Sequence, residues 1–82
     1  MDRIGQIIEI VKTVSKQSTV PDPEESLFDS GYLDSFALPD MIAEIERRFS
    51  IKIPDSDLNP RKFDSIARID QYIGRASATK GS

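Results

Sequence analysis

The feature that most constrains this chain is an apolar stripe at helical spacing, repeated in three separate segments. In the first, Ile4, Ile7, Ile8, Val11 and Val14 fall at i, i+3, i+4, i+7 and i+10, which puts them on one face of a helix. The spacing predicts an amphipathic helix over roughly residues 3–17, with Asp2 as N-cap. Val20-Pro21-Asp22-Pro23 closes it, because two prolines cannot continue a helix. Leu38, Met41, Ile42, Ile45 and Phe49 predict a second helix over roughly residues 36–49, with Ser35 directly before it as the apparent N-cap. Pro39 lies close enough to that cap to fit the first turn, where N–H groups lack intrahelical partners, so the helix starts near Ser35 and not earlier. Ile66, Ile69 and Ile73 predict a last helix over roughly residues 65–74, with Asp64 or Ser65 as cap and Gly74 as stop.

Residues 18–34 form an unusually long connection, and loops of that length in small domains tend to be functional or disordered. Leu27, Phe28 and Leu33 argue for order, since three large apolar groups gain by entering the core, and Gly31 supplies a turn among them. Ser50 to Pro54 reads as an extended link burying Ile51 and Ile53, and Asn59-Pro60 opens a short helical turn. The expected fold is all-α: a bundle of three main helices plus one short helix, with a long ordered loop between helices one and two. Residues 1–75 form the expected domain, and the small, polar stretch 76–82 an expected disordered tail.

The chain has 82 residues and neither cysteine nor histidine. It must therefore hold a thin core by apolar packing, without a disulfide or a His/Cys zinc site. The same absence removes the thiolate nucleophile, the His general base and the Ser-His-Asp triad, so catalysis by the chain itself is not expected. Asp55-Ser56-Asp57-Leu58-Asn59 matches the start of a calcium loop, but Pro60 and Ile66 stand where that loop needs Gly and Glu, and no metal is expected. No apolar run approaches the roughly 18 residues of a membrane span. The N-terminus lacks the pattern of a signal peptide, so the expected location is the cytoplasm. The initial Met1 fits a stand-alone chain, expected to be a monomer.

Net charge is −3, unevenly spread. From Pro21 to Glu46 the acidic residues are Asp22, Glu24, Glu25, Asp29, Asp34, Asp40, Glu44 and Glu46, with no Lys or Arg among them. Such a block attracts basic partners and repels nucleic acid. Arg47 and Arg48 follow at once, where they complement the negative end of the helix dipole.

The run Leu27-Phe28-Asp29-Ser30-Gly31-Tyr32-Leu33-Asp34-Ser35-Phe36 resembles the phosphopantetheine attachment region of acyl carrier proteins. The resemblance continues through Ile42-Ala43-Glu44-Ile45-Glu46-Arg47-Arg48-Phe49, Ile53-Pro54 and the closing helix to Ile73. It implies a 4'-phosphopantetheine arm, derived from coenzyme A, on Ser35, with Asp34 as its motif neighbour. It also implies a phosphopantetheinyl transferase as partner, together with acyl-loading and acyl-processing enzymes that present basic docking surfaces. Asp40, Glu44 and Glu46 on helix two fit the partner-binding role the family gives to acidic residues there, while Arg47, Arg48 and Phe36 depart from the common fatty-acid carriers. The chain contains four Asp-Ser pairs. Ser30 heads no helix, Ser56 begins only a short turn and Ser65 lies outside the acidic block, which leaves Ser35. The implied cargo is an acyl intermediate of fatty-acid, polyketide or related biosynthesis; the alternative is an aminoacyl, D-alanyl or peptidyl group. From a different class, the same sequence fits an acidic helical interaction module in which Ser35 is only a cap.

Overall fold

The computed structural model describes the backbone over residues 2–80 and side chains over residues 2–76. Three α-helices carry the three stripes: α1 (Arg3–Ser15), α2 (Leu38–Phe49) and α3 (Ile66–Lys80). Short 3-10 turns occupy Ser35–Ala37, Asp55–Asp57 and Pro60–Phe63, the last where Asn59 caps through a bond accepted from the Arg61 N–H at 2.9 Å. There is no strand among the described residues. The all-α architecture follows from packing: α1 contacts both α2 and α3, and Ile7, Ile10, Val11, Met41, Ile45, Ile66, Ile69 and Ile73 are buried between them.

The starts of α1 and α3 have local causes, and two helix ends differ from expectation. Asp2 caps α1 by accepting from the Gly5 N–H at 2.8 Å. The helix ends at Lys16, which adopts the left-handed conformation (φ 60°) and donates its N–H to the Lys12 carbonyl. Termination therefore falls before the prolines that were expected to impose it. Ser65 caps α3 through its hydroxyl and the Arg68 N–H at 3.1 Å. That helix runs through Gly74, the expected stop, to Lys80. A Cβ on Gly74 would lie 3.3 Å from an Arg3 guanidinium nitrogen, and the same guanidinium pairs with Asp70 at 2.5 Å. Gly74 thus admits a side chain from α1; it does not break the helix. Of the expected tail 76–82, residues 81–82 lie outside the described residues.

The long connection is ordered by its apolar residues, with Leu27 and Leu33 buried and Phe28 half-buried against the core. Its middle is tied to the start of α3. The Leu27 N–H donates to the Asp64 carbonyl at 2.5 Å and the Ala67 N–H to the Pro23 carbonyl at 2.9 Å, while the Ser26 hydroxyl donates to Asp64 at 2.7 Å. Gly31 makes the turn at φ 84°, where a side chain would be strained.

A polar cluster ties the second link to α3. The Tyr72 hydroxyl donates to Asp57 at 2.6 Å, and Lys62 pairs with the same carboxylate at 2.9 Å. Burial, then the hydrogen bond and charge of Asp57 and the charge of Glu46, push Tyr72 up to about 12 from 10.0. Because the folded value is the higher one, this contribution is intact below pH 10 and is lost as pH rises toward about 12. Urea midpoints are expected to fall across that window, and Tyr72→Phe to remove that part of the fall. The bonds from Tyr72 and Lys62 hold Asp57 below its ordinary 3.8, so its contribution is instead lost on acidification below that value.

Candidate functional site

The site begins with a proline. In an α-helix the Ser35 carbonyl would accept from the N–H of residue 39, and Pro39 has none. The Leu38 N–H takes that carbonyl instead, which tightens Ser35–Ala37 into a 3-10 turn before α2 begins at Leu38. Helical backbone starts at Ser35, one residue before the expected start, and Ser35 is not the expected cap. Asp34 holds that position, in extended conformation, and its carboxylate accepts from the Ala37 N–H at 3.0 Å. This gives Asp34 a physical role at the position beside the candidate serine. Asp34→Ala is expected to cost about 0.5–2 kcal/mol in urea unfolding, and Asp34→Asn much less, since Asn retains the capping oxygen.

With the capping done by Asp34, the Ser35 hydroxyl is left exposed and makes no hydrogen bond among the described residues. Its rivals differ. Ser30 donates to the Leu27 carbonyl, and Ser65 is buried and engaged as a cap. Ser56 is exposed but lies within the turn Asp55–Asp57, which no side chain caps. Ser35 alone among these four pairs an accessible hydroxyl with a capped turn leading into a long helix.

The acidic side chains around Ser35 divide sharply. Asp22, Glu24, Glu25, Asp29, Asp34 and Asp40 are exposed, whereas Glu44 and Glu46 are half-buried. Glu44 pairs with Arg47 at 2.5 Å. Glu46 accepts from the Ile53 N–H at 2.8 Å, anchoring the link that buries Ile51 and Ile53. Of the three carboxylates expected on helix two, only Asp40 is therefore both exposed and uncommitted among the described residues. Glu46→Ala leaves a partly buried N–H without a partner, an expected loss of about 1–3 kcal/mol by denaturant titration. Arg48 reaches across to Glu9 of α1 at 3.3 Å, so the basic pair after the acidic block is spent on internal contacts.

Phe36 was not expected as a site residue, and it is 88% exposed, next to Ser35. It continues with exposed Pro39, Asp40 and Ala43 along the outer face of α2. A signal was present in the sequence: Phe36 is off the Leu38, Met41, Ile42, Ile45 stripe, about 200° around the helix from Leu38.

A family model described as the phosphopantetheine attachment site matches residues 5–73. A D-alanyl carrier protein of Leuconostoc mesenteroides is 28% identical over 78 residues, covering 90% of this chain and 100% of the relative. D-alanyl carrier proteins of Streptococcus sanguinis and Streptococcus gordonii are each 32% identical over 73 residues, covering 89% of this chain and 92% of each relative. No solved structure matches.

Proposed function

Because the chain belongs to the family of phosphopantetheine-binding carrier proteins, we propose that it carries an aminoacyl group, of the D-alanyl class, on a 4'-phosphopantetheine arm attached to Ser35. The observation that supports Ser35 is its exposed, unbonded hydroxyl at the head of a turn that Asp34 caps. The support for the cargo is the name shared by the relatives, which favours the aminoacyl alternative over a fatty-acid or polyketide intermediate. When bound, the group supplies a terminal thiol that holds cargo as a thioester, chemistry that a chain without cysteine cannot supply.

The residues present fit such a group. A transferase needs a hydroxyl it can approach, and Ser35 projects beside exposed Phe36 and Asp34 with no internal bond to break. In that transfer the Ser35 Oγ would form a bond to the pantetheine-side phosphorus of coenzyme A as the P–O bond of the pyrophosphate breaks. Adenosine 3',5'-bisphosphate leaves, and the serine proton passes to a base of the transferase. The exposed Asp34 and Asp40 steer basic partner enzymes to this end of α2, and Phe36 with Pro39 and Ala43 gives them an apolar strip to cover. Phe36→Ala is expected to leave the melting temperature unchanged while raising the KM of the transferase or loading enzyme for the carrier. No helix among the described residues is long and apolar enough to cross a membrane.

The cargo is tested by recovering the tagged protein from its native cells under mildly acidic conditions and weighing it. A hydroxylamine-labile increment equal to one alanyl group on the arm is expected. A fatty-acyl or polyketide increment would overturn the cargo assignment while leaving the attachment intact.

A further inference from the structure

Away from Ser35, α3 and the link after α2 enclose an open groove of about 940 Å³. Ile51 and Tyr72 are among the residues that line it, and Lys52, Lys62, Arg68 and Arg75 bring four cations to it. Among the described lining residues the one carboxylate is Asp57, already held by Lys62 and the Tyr72 hydroxyl. Glu46, whose charge reaches Tyr72, is engaged by the Ile53 N–H. Lys52, Arg68 and Arg75 are exposed, and their side chains make no ion pair or hydrogen bond among the described residues. This is the reverse of the surface around Ser35. In a chain of net charge −3, a concentrated patch of cations beside an aromatic ring is an electrostatic feature with its own complement.

We propose that this groove docks an acidic segment of a partner protein, one that interleaves carboxylates with apolar side chains, separately from the surface around Ser35. Arg68 and Arg75 are two turns apart on α3, about 10 Å between their backbones along its axis. A segment of chain spans that distance in about three extended residues. The groove is open, so a small ligand would stay largely in water, whereas a peptide gains from repeated contacts. The net negative charge disfavours an extended anionic surface such as a bilayer or a nucleic acid, but a narrow segment meets only the local cations. A carrier so equipped can hold one protein at α3 while another works at Ser35.

The test uses the full chain, isotopically labelled, titrated in low salt with a blocked peptide of about twelve residues in which Glu alternates with Leu. Saturable shifts confined to the amides around Ile51, Lys52, Arg68, Tyr72 and Arg75 are expected. Binding should weaken about tenfold or more in high salt and in the double variant Arg68→Glu/Arg75→Glu. Should that variant unfold, Lys52→Glu on the link replaces it, with circular dichroism confirming its fold. Three results would each overturn the proposal: no saturable shift up to millimolar peptide, shifts centred elsewhere, or equal affinity in the charge-reversed protein. Binding to phosphatidylglycerol vesicles or single-stranded RNA in place of the peptide overturns it as well.

Discussion

Replacing Ser35 with alanine is expected to abolish all gain of mass when the protein is incubated with coenzyme A and a broad-specificity phosphopantetheinyl transferase. The wild type should gain one phosphopantetheine. The effect is all-or-none because, of the four serines that follow an aspartate, only Ser35 combines an accessible hydroxyl with a capped turn and a following helix. The capping bond belongs to Asp34, so removing the Ser35 oxygen takes away no internal contact, and stability should change by no more than about 0.5 kcal/mol. A loss of modification can then be read as a loss of the attachment point and not of the fold. Modification of Ser35→Ala, at Ser56 for example, would refute the assignment. So would a wild type that stays unmodified where a control carrier reacts.

The largest effect on stability is expected from Phe63→Ala. Phe63 is fully buried at the end of the turn Pro60–Phe63. Its ring lies 4.9 Å from that of Tyr72, tilted at 55°, and so joins the second link to α3. Truncating a buried Phe costs about 3–5 kcal/mol, part from lost burial and part from the cavity left. A domain of this length holds only about 4–12 kcal/mol in total at the usual value per residue. The variant should show a sharply lowered urea midpoint or be largely unfolded at room temperature. A loss below about 1 kcal/mol would mean that the surrounding Ile side chains collapse into the space, contrary to close packing.

The helices were legible in the sequence because each depends on a local period: the stripes from Leu38 and Ile66 mark buried faces. In α1 the face is turned slightly, so that Ile10, outside the expected stripe, is buried with Ile7 and Val11, while Ile4, Ile8 and Val14 are half-buried. Caps within three residues of their donors were legible too, as with Asp2 and Asn59. What escaped depends on partners remote in the sequence or on backbone geometry with no residue signature. Lys16 is an ordinary residue in a left-handed conformation. Gly74 reads as a stop unless it is known that Arg3, from the other end of the chain, needs its missing Cβ. Glu46 reads as a surface carboxylate until the link folds back and presents the Ile53 N–H. At the site itself, Ser35 stood out through its surroundings, but its division of labour with Asp34 did not. That division follows from the missing N–H of Pro39, visible in the sequence, and from a change of hydrogen-bond register, which is not.

The bonds from Pro23, Ser26 and Leu27 to residues 64 and 67 also set an order of events during synthesis. The approach to Ser35 is tied to the start of α3 and the residues before it, some forty residues later. Leu27 and Ser26 bond to Asp64, Pro23 accepts from the Ala67 N–H, and Leu33 is held in turn by its own bond to the Leu27 carbonyl. Contacts so distant in sequence close late, after the cost of bringing the chain ends together has been met. A growing chain therefore cannot present Ser35 in its final setting until α3 has left the ribosome and docked. If the arm is attached at Ser35 as proposed, a chain truncated before α3 is expected to gain no phosphopantetheine by mass under conditions that modify the full chain, because the setting of its serine is incomplete.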